Sequence, residues 1–301
     1  MNQGEAKQWL KEQIQGVYEA EEAGNIAALV LEELGGLSRE ESRSKKKELL
    51  SASLLNQITE VSNRLLLHEP VQYILEHAWF AGLKLYVNPS VLIPRPETEE
   101  LVHWIIQDMK TAGLPVFRQP AGVADKTNLL KILDVGTGSG CIALALKAAM
   151  PGAEVWGCDL SEEALNIARR NGSETDIRVD FQGVDFIDRA QHSLLPAVDV
   201  IVCNPPYIPI RDKYTIAANV IRFEPHKALF VPNEDPLVFY RRLAKFGQEK
   251  LHPGGHIYVE IEENSGAAVL KLFEKEKYKT VILKKDMQGK DRMVKASELI
   301  R

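Results

Sequence analysis

The stretch "LDVGTGSGCIALAL", Leu133 to Leu146, decides the fold. An apolar run leads in, Gly136, Gly138 and Gly140 follow, and a second apolar run with helical character leads out. Strand, loop and helix in that order open a doubly wound α/β sheet. Glycines at such a turn permit unusual dihedrals and let backbone approach a ligand closely. The spacing is G-x-G-x-G. A dinucleotide fingerprint sets its third glycine one residue later, where the helix N-terminus receives a pyrophosphate. The loop therefore suits a ligand without phosphate.

Downstream, strands and helices keep alternating, which predicts a parallel sheet covered on both faces. Candidate strands are "LLKILDVG", "AEVWGCDL", "IRVDFQGV", "VDVIVCN" and "GGHIYVEIE". Two more, "YKTVILKKD" and "DRMVKASEL", are separated only by "MQGK". So short a connection allows an antiparallel pair and no parallel crossover. This resembles the plan of the class I S-adenosyl-L-methionine methyltransferases: a Rossmann-like seven-stranded sheet whose last strand is antiparallel. On that resemblance the glycine loop passes beside the adenosyl and methionine parts of the cofactor. Asp134, at the strand's end, can meet the methionine ammonium directly or through water. Asp159 lies about 20 residues beyond the glycines, where an acidic residue can accept both ribose hydroxyls. Thr137 and Leu160, beside these groups, join the expected cofactor set, as does Asn204 at the end of the fourth strand. Asp185 and Phe186, in "GVDFID", suit an adenine amino group beside a ring, or equally a turn-capping carboxylate next to a core Phe. Ser161 reads as a helix N-cap.

The fourth strand, "VDVIV", runs into "CNPPYIP", Cys203 to Pro209. Two prolines cannot donate ladder hydrogen bonds, so the strand stops there. Asn204 follows a strand that lies beside the first, and so faces the glycine loop. Its side-chain oxygen and the Pro205 carbonyl make two acceptors for both hydrogens of an NH2 group. Such a nitrogen is a poor nucleophile because its lone pair is delocalised. Holding both hydrogens out of plane turns the lone pair towards an electrophile and stabilises the developing positive charge. Pro205 and Pro206 stiffen the acceptors, and Tyr207 can lie flat against the planar group. The alternative is a rigid strand-ending turn with a packed Tyr, which the coupling to the glycine loop and Asp159 disfavours.

The wider chain resembles the protein-(glutamine-N(5)) methyltransferases acting on peptide chain release factors, the PrmC/HemK family. The likeness runs from Glu69 onward through "EPVQYIL", "VLIPRPETEELV", "NPPYIP", "EPHKAL" and "LHPGGHIYVEI". The NPPY motif is shared with adenine-N6 DNA and RNA enzymes; "IPRPETE" is more specific. The resemblance implies methyl transfer to the glutamine of a release factor's Gly-Gly-Gln tip, with S-adenosyl-L-homocysteine as the other product. It implies Asn204, Pro205, Pro206 and Tyr207 at the substrate, with Arg95 and Glu97 on a covering segment. Arg95 equally suits an ion pair with Glu97 or Glu224, and Phe80 suits the core better than the cleft. Two positions depart from the family pattern. "FVPNEDPLVFYRR" replaces a glycine-rich continuation after Leu229, and Glu76 stands where glycine is usual.

Ahead of this, residues 1–75 read as a helical bundle. "AKQWLKEQIQGVYEA" carries Trp9, Leu10, Ile14 and Val17 at helical spacing. A second helix is expected from an Asn25 cap to Gly35 and Gly36, a third from a capping box at Ser38 to Glu41, and an amphipathic run continues to Pro70. Residues 76–92 read as a hairpin linker, residues 93–301 as the catalytic domain, and "KTAGLPVFRQPAGVADKTN" as a surface loop.

The 301 residues are 45% hydrophobic and carry a formal net charge of -5, which disfavours a broad nucleic-acid surface. "SRSKKK" is the bundle's one basic cluster and suits a solvated helix face. Neither a signal peptide nor a membrane span is expected, and Cys141, Cys158 and Cys203 form no metal-ligand or CxxC pattern. The expectation is a cytoplasmic, metal-free monomer whose partner is a release factor and which does not bind nucleic acid directly. Within this class the alternative is a ribosomal-protein glutamine methyltransferase; outside it the rivals are an adenine-N6 DNA or RNA methyltransferase, an NAD oxidoreductase and a non-catalytic binding module. The glycine spacing and the absence of a hydride-transfer motif count against the oxidoreductase, and an intact Asn204 to Tyr207 counts against the binding module.

Overall fold

The computed structural model describes residues 1–36, 48–111 and 129–300. The capping box at Ser38 to Glu41, "SRSKKK" and most of the Gly/Pro-rich connection lie outside them. The chain forms two compact units, residues 1–77 with Ala218–Phe223, and residues 78–217 with 224–301. No helix among the described residues is long and apolar enough to cross a membrane.

In the first unit, α1 (Gln3–Ile14) starts at a capping box. Glu5 N–H donates to Asn2 Oδ1 and Asn2 N–H to Glu5 Oε2, each at 2.9 Å, so two otherwise unpaired amides are satisfied. Helix α2 (Ala20–Gly35) begins earlier than expected, and Asn25 lies inside it. Glu21 and Glu22 in its first turn favour the positive end of the helix dipole, and buried Ala23 gives that turn a packed face. Gly36, with φ of 61°, ends it. Helix α3 (Ala52–Leu66) is capped by Ser51, whose Oγ accepts from Leu54 N–H at 3.2 Å. Ala6, Leu10 and Ile14 meet Ala23, Ala27 and Val30 of α2 and Ile58, Val61 and Leu65 of α3 in one apolar core. Val17, expected on the first stripe, lies beyond the end of α1.

Pro70 caps a single helical turn, Val71–Ile74, after which Glu76 takes φ of 58°. The preference for glycine here has a backbone cause: a Cβ is disfavoured in the left-handed region by about 1–2 kcal/mol. Part of that gain is offset by glycine's greater freedom in the unfolded chain. Glu76→Gly is therefore expected to raise stability by about 0.5–1 kcal/mol, read as a later urea midpoint. A lower midpoint would refute the backbone explanation.

In the second unit, β1 (His77–Phe80) and β2 (Leu83–Tyr86) make the expected hairpin. Ala81 and Gly82 turn it with φ of 49° and 81°, the positive pair that a tight right-twisted hairpin requires. Phe80 is fully buried with Leu85, Leu101 and Ile105, as the core reading expected. Helix α4 (Pro96–Thr111) carries the end of "IPRPETE".

The main sheet contains β3 (Lys131–Val135), β4 (Glu154–Asp159), β5 (Asp180–Gly183), β6 (Val198–Cys203), β9 (Leu251–Glu260), β10 (Tyr278–Lys285) and β11 (Asp291–Leu299). Its order is β10-β11-β9-β6-β3-β4-β5. Strand β11 runs antiparallel to both neighbours, so the last strand is inserted between β9 and β10. Strand β9 starts earlier than expected, at Leu251, because a register shift near Val198 and Val200 accommodates the His252–Gly255 bend. Helices α5 (Cys141–Ala149) and α6 (Glu162–Glu174) join α4 on one face, over Ile132, Val200 and Val202. Helices α7 (Val238–Lys250) and α8 (Gly266–Lys275) cover the other, over Leu133, Ile201, Cys203 and Val259. Successive residues of each central strand thus enter opposite cores, which explains their uninterrupted apolar character.

Register sets the functional edge. Val135 pairs with Cys158 on one side and with Cys203 on the other. The carboxyl ends of β3, β4 and β6 are therefore flush, and Gly136, Asp159 and Asn204 emerge along one rim. Beyond it, β7 (Ile208–Pro209) pairs in parallel with β8 (Phe230–Val231). That short pair defines the altered loop after Leu229, where Arg211 N–H also donates to Asn233 Oδ1 at 2.8 Å.

Candidate active site

The glycine loop is held from below. Gly136 and Thr137 N–H both donate to the Cys158 carbonyl, at 2.8 and 2.9 Å. The three glycines have positive φ but different neighbours. A Cβ on Gly138 (φ 54°) would meet nothing within 4 Å, whereas one on Gly140 would lie 3.1 Å from Phe181 and 3.2 Å from Ala168. Gly138 is needed for its dihedral beside open space. Gly140 is needed for its dihedral and for close packing of α5 on the core.

Asp134 is fully buried behind the loop. Its Oδ2 accepts from Thr137 Oγ1 at 2.6 Å and from Ala143 N–H at 3.3 Å, tying the loop to α5. Its Oδ1 has no partner among the described residues, and burial pushes the carboxyl up to about 7. Asp159 spans the loop and the next helix. Gly138 N–H donates to Oδ2 and Ser161 N–H to Oδ1, each at 2.9 Å. Burial raises its carboxyl above the usual range, against the pull of those donors. Ser161 caps α6 as expected, its Oγ accepting from Ala164 N–H.

Gly157, one strand over, explains how Thr137 is seated. A Cβ there would lie 2.7 Å from Thr137 Oγ1 and 2.8 Å from the Phe181 ring. Gly157→Ala is expected to cost about 1–3 kcal/mol through overpacking. Denaturant titration should show it, and an unchanged midpoint would mean that the loop yields freely.

A cavity of about 220 Å3 lies against the rim. Its wall includes Gly136, Thr137, Gly138, Asp159, Leu160, Asp185, Phe186, Asn204, Pro206 and Arg95. Of the other expected residues, Asp134, Gly140, Pro205, Tyr207 and Glu97 do not line it. Asp185 Oδ1 accepts from Ile187 N–H at 3.0 Å, capping its own turn. Phe186 is a core ring with one side on the cavity, packed at 5.2 Å edge-on to Phe246. The reading as a turn-capping carboxylate next to a core Phe is therefore met, and both residues also face the cavity. Cys141 and Cys158 also line the wall; burial pushes the Cys141 thiol up to about 12 and Cys158 higher, so both stay protonated.

At the other end of the cavity, Asn204 Nδ2 donates to Thr98 Oγ1 at 3.0 Å. Thr98 in turn donates to Glu260 Oε2 at 2.6 Å. Among the described residues none donates to Asn204 Oδ1 or to the Pro205 carbonyl. Tyr207 is pushed up to about 12, by burial first and by the Glu260 charge next, so its phenol stays neutral.

Arg95 pairs with Glu224, a nearly fully buried carboxylate whose Oε2 also accepts from Ile93 N–H at 3.3 Å. The ion-pair reading of Arg95 therefore holds, with Glu224 as partner rather than Glu97. Sequence reasoning missed Thr98 and Glu260. For Glu260 a signal existed: the first acid after the apolar run in "HIYVE", where an unpaired charge would be costly. Thr98 carried no signal beyond its place in "IPRPETE".

A model of the methyltransferase small domain matches residues 123–229, and a model of the PrmC N-terminal domain matches residues 5–75. A release factor glutamine methyltransferase of Bacteroides thetaiotaomicron is 39% identical over 289 residues, covering 96% of this chain and 98% of the relative. One of Flavobacterium psychrophilum is 41% identical over 230 residues, covering 76% of this chain and 75% of the relative. Among solved structures, the hMettl16 catalytic domain in complex with MAT2A 3'UTR hairpin 6 aligns with a TM-score of 0.52 at 15% identity, over 82% of each chain. That last likeness is one of fold.

Proposed function

Since this chain belongs to the release factor glutamine methyltransferases, we propose that it methylates the side-chain nitrogen of the Gly-Gly-Gln glutamine of a peptide chain release factor, with S-adenosylmethionine as donor. The observation that carries the reading is Asn204: its carboxamide lines the cavity, and none of the described residues donates to its oxygen.

The cavity's residues fit the cofactor. A backbone turn with open space at Gly136 and Gly138 admits close approach without a phosphate cradle. Asp159, on the wall, retains acceptor capacity for ribose hydroxyls beyond its two backbone donors. Behind the same loop, Asp134 keeps one buried oxygen without a donor among the described residues, which favours a cationic group nearby. Bound there, S-adenosylmethionine supplies a sulfonium methyl as electrophile.

The chain's own part is orientation. Asn204 Oδ1 and the Pro205 carbonyl accept the two amide hydrogens of the substrate and hold them where the nitrogen lone pair can leave conjugation. Tyr207, neutral, gives the amide plane a flat wall and is not a base. None is needed: the nitrogen-bound proton becomes acidic once the methyl has transferred. Methyl transfer from labelled S-adenosylmethionine to a release factor, and to its Gln→Ala tip variant, tests the assignment. Label on the first alone is the expected result; equal label on both would refute it.

A further inference from the structure

An asparagine side chain is ambiguous end for end. Its oxygen accepts, its nitrogen donates, and the two ends have nearly the same shape. At a site that must accept from an NH2 group, the wrong end would set donor against donor. Something has to choose.

We propose that Thr98 and Glu260 are positioning residues that fix which end of the Asn204 carboxamide meets the substrate, an inference that rests on Asn204 being the acceptor of the reacting amide. The direction of the chain follows from proton counting. A carboxylate only accepts, so the single Thr98 hydroxyl proton goes to Glu260 Oε2, 2.6 Å away. The Thr98 oxygen is left with lone pairs, and these select Asn204 Nδ2, at 3.0 Å, over Oδ1. The opposite branch of the planar amide is then the oxygen.

Rigid elements hold all three groups. Thr98 lies in the first turn of α4, with its N–H donating to the Arg95 carbonyl at 3.1 Å. Glu260 ends β9, and its carbonyl accepts from Tyr240 hydroxyl at 3.1 Å. Since Cys203 pairs with Val259, the next residues, Asn204 just past β6 and Glu260 at the end of β9, lie side by side at the rim. Thr98 and Glu260 are each only 2% exposed, so water does not compete for these bonds.

The arrangement works only while Glu260 is ionised. Burial pushes its carboxyl up to about 7, against the pull of Thr98 and of Arg292 and Arg95; Glu97 raises it further. Tyr207 and Tyr240 also face it, both neutral. Once protonated, Glu260 donates to the Thr98 oxygen, whose own proton turns to Asn204 and prefers Oδ1. The acceptor then faces away from the substrate.

The test compares Thr98→Val, Thr98→Ser and Glu260→Gln with the wild type. With a release factor as acceptor, Thr98→Val should lower kcat by about tenfold or more at pH 8 with cofactor affinity within about twofold, and Thr98→Ser should restore most of it. Wild-type kcat should fall as pH drops through about 7, and Glu260→Gln should lack that limb. In the cofactor-free protein, the Asn204 side-chain NH2 signal in nuclear magnetic resonance should shift over the same pH range, and in Glu260→Gln it should not. A Thr98→Val protein with wild-type kcat, a Thr98→Ser protein as impaired as it, or a pH-independent wild-type Asn204 signal would each overturn the proposal. The resonance decides it without any turnover, so a failure of the release-factor assignment would show separately, as no transfer by the wild type.

Discussion

Asn204→Ala is expected to leave S-adenosylmethionine affinity within about twofold and to lower methyl transfer by about 10²-fold or more. The asymmetry follows from where its groups are committed. Asn204 Nδ2 is bound to Thr98, whereas Gly136 and Thr137 are held by the Cys158 carbonyl and Gly138 by Asp159, so the seat of the glycine loop does not depend on Asn204. What the truncation removes is one of two fixed acceptors for a nitrogen that becomes positive during transfer. A water entering the void would have to be reoriented for each turnover, and that reorganisation is what preorganised groups avoid. Calorimetry for the cofactor and single-turnover labelling separate the two quantities. Lost affinity with unchanged turnover would mean that Asn204 serves the cofactor instead.

Asp159→Ala should do the reverse. Its two oxygens each hold a backbone N–H, one in the glycine loop and one at the start of α6, while also lining the cavity. Removing them leaves both amides without a partner and deletes the acceptor for the ribose hydroxyls. Bonds to a charged acceptor are worth about 1.5–3 kcal/mol each, so the cofactor dissociation constant should rise by about 10- to 100-fold. Turnover at saturating cofactor should recover to within a few-fold, about threefold, because Asn204 and Pro205 are untouched. An unchanged dissociation constant would remove Asp159 from the cofactor site.

The places of these two residues on the rim were legible for one reason: Asp159 ends and Asn204 follows an apolar strand whose neighbours in the sheet are set by a general topological rule. The glycine spacing, the order of strands and the short "MQGK" turn were readable in the same way, being local. What escaped was relational. Thr98, Asn204 and Glu260 come from three distant parts of the chain, and only the pairing of β6 with β9 and the seat of α4 bring them together. Arg95 could be read as a charge in need of a partner, yet the choice between Glu97 and Glu224 belonged to tertiary structure. The start of α2 was misplaced by a local cue: Asn25 is a good cap in isolation, but the packed face of Ala23 and the acids before it extend the helix past it. A short-range preference lost to burial.

The position of β11 has a consequence for synthesis. It is the last of the seven strands to be made, yet it sits between β9 and β10. Until it emerges from the ribosome, β9 and β10 each present an unpaired edge, and the sheet that carries Asn204 and the glycine loop remains open. Such edges invite pairing with other chains. The nascent protein therefore passes through an association-prone interval between synthesis of β10 and of β11, and closure of the sheet depends on β11.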